Sequence, residues 1–243
     1  VGVAGRVAGA AAGLLMMEEL EHLGALLAPP PRPFVGILGG AKVSGKLEVI
    51  ENLLPRLDAL LVGGAMAYTF LKARGRPVGR SLVEDALVDT VRGIERAADD
   101  HRVRLELPGD HVVADRLDAD APHATIGVDD PAIGDRLGVD IGPETVGRYR
   151  EAVAAARTVL WNGPMGVFEI PPFAAGPLAV ARAVAASPAT SIVGGGDSVA
   201  AVHRAGVAGR ITHVSTGGGA SLELLGGRTL PGVAALPDAA GGS

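Results

Sequence analysis

Short apolar runs that break into glycine recur along this chain. Phe34–Leu38 runs into Gly39-Gly40, Ala59–Val62 into Gly63-Gly64, 158–161 into Asn162-Gly163-Pro164, Ile192-Val193 into Gly194-Gly195-Gly196, and 213–215 into Thr216-Gly217-Gly218-Gly219. Most of them lead into residues with helical spacing, the pattern of parallel strands joined by crossover helices. The pattern predicts an α/β fold with a mainly parallel sheet. All of these turns then lie along the carboxyl edge of the strands, where open α/β sheets bind ligands.

Helical spacing predicts helices over 14–27, 47–54, 65–72, 83–98, 144–157, 176–186, 199–205 and 220–225. In the first of these, Leu15, Leu20, Leu23 and Leu27 fall near one face, and Pro29-Pro30-Pro31 ends it. The acids and arginines of 83–98 read as a solvated outer face. Short strands are expected at 103–105, 112–114 and 125–128, and the Asp- and Pro-rich stretch that follows, through Asp140-Ile141-Gly142-Pro143, reads as loop. From Pro231 onward there is no periodicity, and the unequal βα units exclude a solenoid repeat.

With 243 residues, 48% hydrophobic and 20% charged, the chain can bury a sizeable core. A net charge of −5 argues against a basic nucleic-acid footprint, although it allows a local positive pocket. The absence of cysteine excludes disulfides, thiolate catalysis and Cys-based metal sites. The six histidines lack metal-site spacing. Arg6 and the apolar run 7–17 look superficially like a signal peptide, but the pattern continues into Glu18-Glu19-Leu20-Glu21 as an amphipathic helix. No stretch approaches the ~20 apolar residues of a membrane span, and the chain is expected to be soluble. An opening valine suggests a fragment.

The densest candidate chemistry lies in 191–198, where two β-branched residues, three glycines, Asp197 and Ser198 lead into a helix. Such a turn presents backbone N–H groups to phosphate, and a carboxylate beside it can hold a metal. The plainer alternative is a short βα turn capped by Asp197. Residues 40–46 have the GxxxxGK spacing of a P-loop, but Leu47 stands where Ser or Thr must ligate Mg²⁺. A phosphate role for Lys42 and Lys46 survives, because the chain has only one other lysine, Lys72, and cations at a helix N-terminus oppose its dipole. In WNGPMGVFE, Val167 and Phe168 are placed to flank a planar base and Glu169 to accept from a ribose diol; alternatively Trp161 is core and Glu169 a surface acid. Gly217-Gly218-Gly219 opens a helix and offers another anion site. Neither triple-glycine run fits GxGxxG, which disfavours a dinucleotide site.

The ordered set GGAKVSGK (39–46), LVGGAMAYTFL (61–71), DIGPET (140–145), WNGPMGVFE (161–169), GGGDS (194–198) and STGGGASLELL (215–225) closely resembles phosphoglycerate kinase across nearly the whole chain. The resemblance implies a three-layer αβα Rossmann-like domain, one of two joined by a hinge, that binds MgADP or MgATP while a separate amino-terminal domain binds 3-phosphoglycerate. By the same resemblance, Lys42 contacts the transferring phosphoryl group and the amides of Gly217, Gly218 and Gly219 face it. Lys46, Asn162 and the segment Gly194, Gly195, Gly196, Asp197 and Ser198 surround the nucleotide phosphates, with Asp197 on Mg²⁺. Gly40, Ala41, Gly64, Gly138, Val139, Pro164 and Val167 wall the nucleotide slot, and Glu169 binds ribose.

The implied organisation makes 1–13 the end of an amino-terminal domain, 14–28 an interdomain helix, 29–226 the nucleotide-binding domain and 227–243 a tail packing on the amino-terminal domain. The family's Arg/His-rich substrate patch has no counterpart here. Gly45 replaces an acid often found there, Pro177 a threonine and Ser198 the commoner threonine. The expected function is phosphoryl transfer between 1,3-bisphosphoglycerate and MgADP in glycolysis, with this chain binding nucleotide without turnover on its own. The complete enzyme is expected to be monomeric, without nucleic-acid or membrane partners. The alternatives are a standalone nucleotide-binding or interaction module and, against the Leu47 mismatch, a P-loop NTPase.

Overall fold

The computed structural model describes residues 11–236. The expectations for residues 1–10 and 237–243 lie outside the described residues. Six parallel strands, β1 (Phe34–Leu38), β2 (Ala59–Val62), β3 (Arg104–Glu106), β7 (Thr158–Asn162), β8 (Thr190–Gly194) and β9 (His213–Val214), form one sheet in the order β3-β2-β1-β7-β8-β9. The direction of strand addition reverses at β1. Helices α1 (Leu14–Leu27), α2 (Leu47–Leu53), α3 (Ala67–Ala73), α4 (Val88–Asp100), α5 (Pro143–Ala154), α6 (Ala175–Ala186), α7 (Gly196–Arg204), α8 (Gly219–Leu225) and α9 (Pro231–Ala234) complete the described chain. None is long and apolar enough to cross a membrane.

Strand alternation produces the layers. Phe34, Leu38, Leu60, Leu160 and Ile192 pack into one core with α1 to α4 and α8. Val35, Ile37, Leu61, Trp161 and Val193 pack into a second core with α5 to α7. With both sheet faces covered, the fold is a three-layer α/β Rossmann-like domain, and its central strands read as continuous apolar runs because neither face meets water.

Several boundaries differ from the sequence pattern, and four of them bear on the site or the ends of the chain. The expected loop before Pro143 contains β6 (Leu137–Ile141), which pairs with β4 (Asp110–Ala114) in a small antiparallel sheet of order β5-β4-β6, where β5 is His123–Gly127. Gly138 and Asp140 conceal this strand. Asp140 is nevertheless only 4% exposed, because its carboxylate accepts from the amides of Ile141 (2.8 Å) and Gly176 (2.7 Å). The charged helix begins at Val88, five residues late, because the Glu84 amide is held by Thr69 Oγ1 and its carboxylate binds Ser44. Helix α7 begins at Gly196, directly after the turn. Pro231 opens one short turn, α9, in the otherwise aperiodic tail. Helix α1 has the expected bounds, but its buried residues are Leu23 and Leu26, while Leu15 is 59% exposed.

Candidate functional site

Three glycine turns meet backbone to backbone at the carboxyl edge. The amides of Gly39, Gly40 and Gly64 donate to the carbonyls of Asn162 (3.0 Å), Pro164 (2.9 Å) and Met165 (3.1 Å), and Met66 donates to Gly40 (2.9 Å). No side chain fits between them. A Cβ on Gly39 would lie 2.2 Å from the Pro164 carbonyl, and Gly163 combines φ +93 with a Cβ position 2.3 Å from the Gly39 carbonyl. These glycines therefore let β1, β2 and β7 end in one fused platform.

Two adjoining cavities stand on that platform and share Gly40, Ala41, Pro164 and Asp197. The first, of about 230 Å³, is flanked by Gly64, Gly138, Val139, Val167 and Glu169, with Tyr68, His111 and Asp140 also on its wall. The second, of about 370 Å³, is bounded by Lys42, Lys46, Asn162, Gly195, Gly196, Gly218 and Gly219. A roomier groove of about 810 Å³ between α5 and α6 lies away from the glycine edge. Volume alone does not locate the site. The convergence of cations, glycine turns and a carboxylate marks the candidate.

Most residues singled out from the sequence therefore converge, and four behave differently. Gly194 is buried at the end of β8. Ser198 is fully buried, its hydroxyl donating to the Gly194 carbonyl and accepting from the Gly163 amide at 3.1 Å, so it braces the turn instead of facing the second cavity. The Gly217 amide is spent on Ser215 Oγ (3.3 Å) and lines neither cavity, unlike Gly218 and Gly219. Phe168 does not flank the first cavity but packs into the α5–α7 core at 7% exposure, leaving Val167 on the wall. Trp161, at 0% exposure, is core.

The charges follow from burial. Desolvation pushes the Lys46 ammonium down to about 8, opposed by the negative charge of Asp197. Its Nζ donates to Oδ1 of Asn162, itself 2% exposed. Lys42 and Asp197 are exposed at the mouth. In the first cavity, desolvation raises the Asp140 carboxyl to about 7 despite its two amide donors. Burial likewise lowers His111 to about 4, and Arg136 adds to that while Asp110 opposes it, so the imidazole is neutral.

Tyr68, His111 and Asp140 were not assigned from the sequence. Asp140 stands between two apolar residues, but the strand that buries it was read as loop, and nothing local marks Tyr68 or His111. One carboxylate, Asp197, stands at the second cavity, and no cluster of three or more His, Asp or Glu exists among the described residues. This donor set fits an ion such as Mg²⁺ that keeps its waters and takes one carboxylate plus ligand phosphates, and does not fit an all-protein cage.

The family profile described as phosphoglycerate kinase matches residues 1–228. The phosphoglycerate kinase of Solibacter usitatus is 58% identical over 227 residues, 93% of this chain and 56% of its own. That of Koribacter versatilis is 54% identical over 236 residues, 97% of this chain and 59% of its own. The solved phosphoglycerate kinase from Coxiella burnetii superposes with a TM-score of 0.91 at 43% identity, covering 96% of this chain and 60% of that one. The enzyme from Pyrococcus horikoshii OT3 gives 0.79 at 39% identity, covering 92% and 56%. The chain thus spans less than two thirds of the length of these relatives. Over the residues it has, it belongs to the phosphoglycerate kinase family.

Proposed function

We propose that this chain supplies the nucleotide-binding half of a phosphoglycerate kinase. The whole enzyme exchanges a phosphoryl group between 1,3-bisphosphoglycerate and MgADP, giving 3-phosphoglycerate and MgATP. The observation that carries this reading is the pair of adjoining cavities. One is apolar and slot-like, with Glu169 at its mouth; the other is lined by Lys42, Lys46 and the amides of two glycine turns. A base and ribose suit the first and a polyphosphate the second.

In this reading Lys46, held by Asn162, sits on the nucleotide phosphates, and the exposed Lys42 reaches the group in flight. The amides of Gly218 and Gly219 face the same group. Asp197 would hold Mg²⁺, which neutralises phosphate charge when bound. Phosphoryl transfer asks the protein for alignment and charge compensation more than for covalent chemistry. The acceptor side is supplied by a further domain, and Leu14, Leu15, Met16 and Met17, each at least 40% exposed at the start of α1, support an interdomain role for that helix. On its own the chain binds nucleotide and does not turn over, in a cytoplasmic glycolytic setting.

Calorimetric titration with MgADP tests the reading. Saturable binding, weakened in both Lys46→Ala and Asp197→Ala, is expected, together with no formation of 1,3-bisphosphoglycerate from 3-phosphoglycerate and MgATP. No binding by a folded chain would overturn the nucleotide assignment, and appreciable turnover would overturn the requirement for a further domain.

A further inference from the structure

The two lysines of the second cavity are joined by a turn that is gripped from outside it. Lys42, Gly45 and Lys46 lie on the cavity wall and Ser44, between them, does not. Both donors of Ser44 go to one side chain 40 positions further on: its amide donates to Oε2 of Glu84 at 3.1 Å and its hydroxyl to Oε1 at 2.5 Å. A carboxylate engaged through both oxygens fixes direction as well as distance. Ser44 opens the short helical turn 44–46 that leads into α2, so Glu84 also supplies an acceptor for an amide that has no partner within the helix.

Glu84 is held independently of the turn it grips. Its own amide donates to Thr69 Oγ1 at 3.1 Å, and Thr69 is 1% exposed on α3. A substitution at 84 keeps that bond, because the donor is backbone. Burial works to raise the Glu84 carboxyl, but donation from Ser44 outweighs it and the charge of Lys42 adds to that, so the net shift is below the ordinary 4.5 and the group is ionised at neutral pH. The turn needs such a hold. Val43 anchors it in the core at 0% exposure, but Lys42, Ser44 and Gly45 are exposed. A Cβ on Gly45 would meet nothing within 4 Å, so packing does not restrain the backbone beside Lys46.

We propose that Glu84 is a positioning residue for phosphate binding: by gripping Ser44 it holds the 42–46 turn in the shape that brings Lys42 and Lys46 to the second cavity. This rests on reading that cavity as the polyphosphate site. The sign of the effect distinguishes position from charge. As a charge alone, a carboxylate near Lys42 opposes a polyanion, and its removal would tighten binding. As a brace, it lowers the ordering cost of binding, and its removal weakens binding although a negative charge has been taken away.

Titration of the chain with MgADP and with adenosine, which lacks the phosphates, tests the proposal, with NMR shifts following the weaker ligand. Glu84→Ala should weaken MgADP about tenfold, the cost of ordering about one backbone residue, and leave adenosine unchanged. Glu84→Gln, whose amide still accepts from one Ser44 donor and donates to the hydroxyl oxygen, should lose no more than about threefold. Ser44→Ala should fall between wild type and Glu84→Ala, and its loss should not add to that of Glu84→Ala in the double variant. Amide exchange at Gly45 and Lys46 should quicken in Glu84→Ala without a general rise. If Glu84→Ala does not fold, Ser44→Ala carries the same split between MgADP and adenosine. Unchanged or tighter MgADP binding in Glu84→Ala, equal effects of Ala and Gln at 84, or a parallel loss of adenosine would overturn the brace and leave nucleotide binding standing. A folded wild-type chain that binds neither ligand would overturn both.

Discussion

Lys46 Nζ donates a hydrogen bond to Oδ1 of Asn162, joining the start of α2 to the end of β7 across 116 positions of sequence. A half-buried ammonium is held at the second cavity by a neutral amide, with the negative charge of Asp197 on the exposed rim. Asn162 fixes the position of the charge without neutralising it, as a site for a polyanion requires.

With a pKa of about 8, Lys46 loses its charge just above neutrality. The phosphates of a nucleotide are ionised throughout that range, so affinity for MgADP should fall about tenfold between pH 7 and pH 9. Lys46→Met should bind weakly and without this slope. Asn162→Leu removes an acceptor that favours the charged amine, and should move the inflection to lower pH. Calorimetry across pH measures all three, and a flat wild-type profile would contradict the assignment. The folded pKa is lowered from 10.5, so the free chain should gain stability as pH rises from 8 to 10.5.

Asp140 gives the opposite dependence. Its folded pKa of about 7 lies above the ordinary 3.8, so the folded chain holds a proton there that the unfolded chain releases. The associated stability is fully present below 3.8 and lost as pH rises through 7. His111, lowered to about 4, works the other way between 4 and 6.5 and masks the slope in the wild type. Comparing Asp140→Asn with wild type cancels the histidine. The difference in Tm should move in favour of the variant by about 5 °C between pH 5 and pH 8; a constant difference would mean that the carboxyl titrates normally.

Glycines of the site divide into those the fold needs and those a ligand needs. A Cβ on Gly166 would lie 2.3 Å from Asp140 Oδ1, part of a carboxylate anchored by two amides, whereas one on Gly196 meets nothing within 4 Å. Gly166→Ala should therefore cost about 1–3 kcal/mol in denaturant melts. Gly196→Ala should leave the melt within about 0.5 kcal/mol while weakening MgADP, because the new methyl stands at the second cavity. Equal stability losses in the two variants would refute the division.

Glu19 ties α1 to the last glycine turn. Its Oε1 accepts from the Thr216 amide (2.5 Å) and hydroxyl (3.0 Å), and its Oε2 from Ser215 Oγ (2.8 Å). His213, stacked on His22 at 4.4 Å, has Nε2 3.2 Å from the same carboxylate. Burial works to raise the Glu19 carboxyl, but donation from the Thr216 amide and its neighbours outweighs it, and the net shift is downward. The stabilisation is therefore present above the ordinary 4.5 and lost as pH falls through the lowered folded value. Glu19→Ala should cost about 1 kcal/mol at pH 7 and progressively less as the pH falls through the lowered folded value, and should speed amide exchange at Thr216; a loss that does not change with pH would count against the carboxylate.

The extent to which the site could be read in sequence follows from how local each signal is. Lys42, Lys46, Gly195, Gly196 and Asp197 stand in glycine turns directly after apolar runs, where the functional atoms and the turn that presents them are a few residues apart. Ser198 sits in the same kind of turn, yet its hydroxyl closes on Gly194 and Gly163 instead of the cavity. Rotamer choice and hydrogen-bond competition inside the turn decided that, and neither leaves a mark on residue spacing. Phe168 went to the core for a similar reason, since alternation puts neighbours on opposite sides without saying which side faces the cavity.

Strand and helix positions, the parallel sheet and the alignment of five glycine turns on one edge were determined by sequence, because hydrophobic periodicity and glycine placement act over a few residues and nearly every backbone group must find a partner. Only tertiary structure decided what stands between those turns. Strand β6 exists because β4 accepts it and because buried amides satisfy Asp140. His111 and Tyr68, 43 positions apart, meet because Gly138 leaves room for a phenol. Glu19 reaches Thr216 across 197 positions because α1 packs beside α8. Hydrogen bonds and desolvation act through space at a few ångströms, so the chemical state of each of these groups was set by neighbours that no sequence window contains.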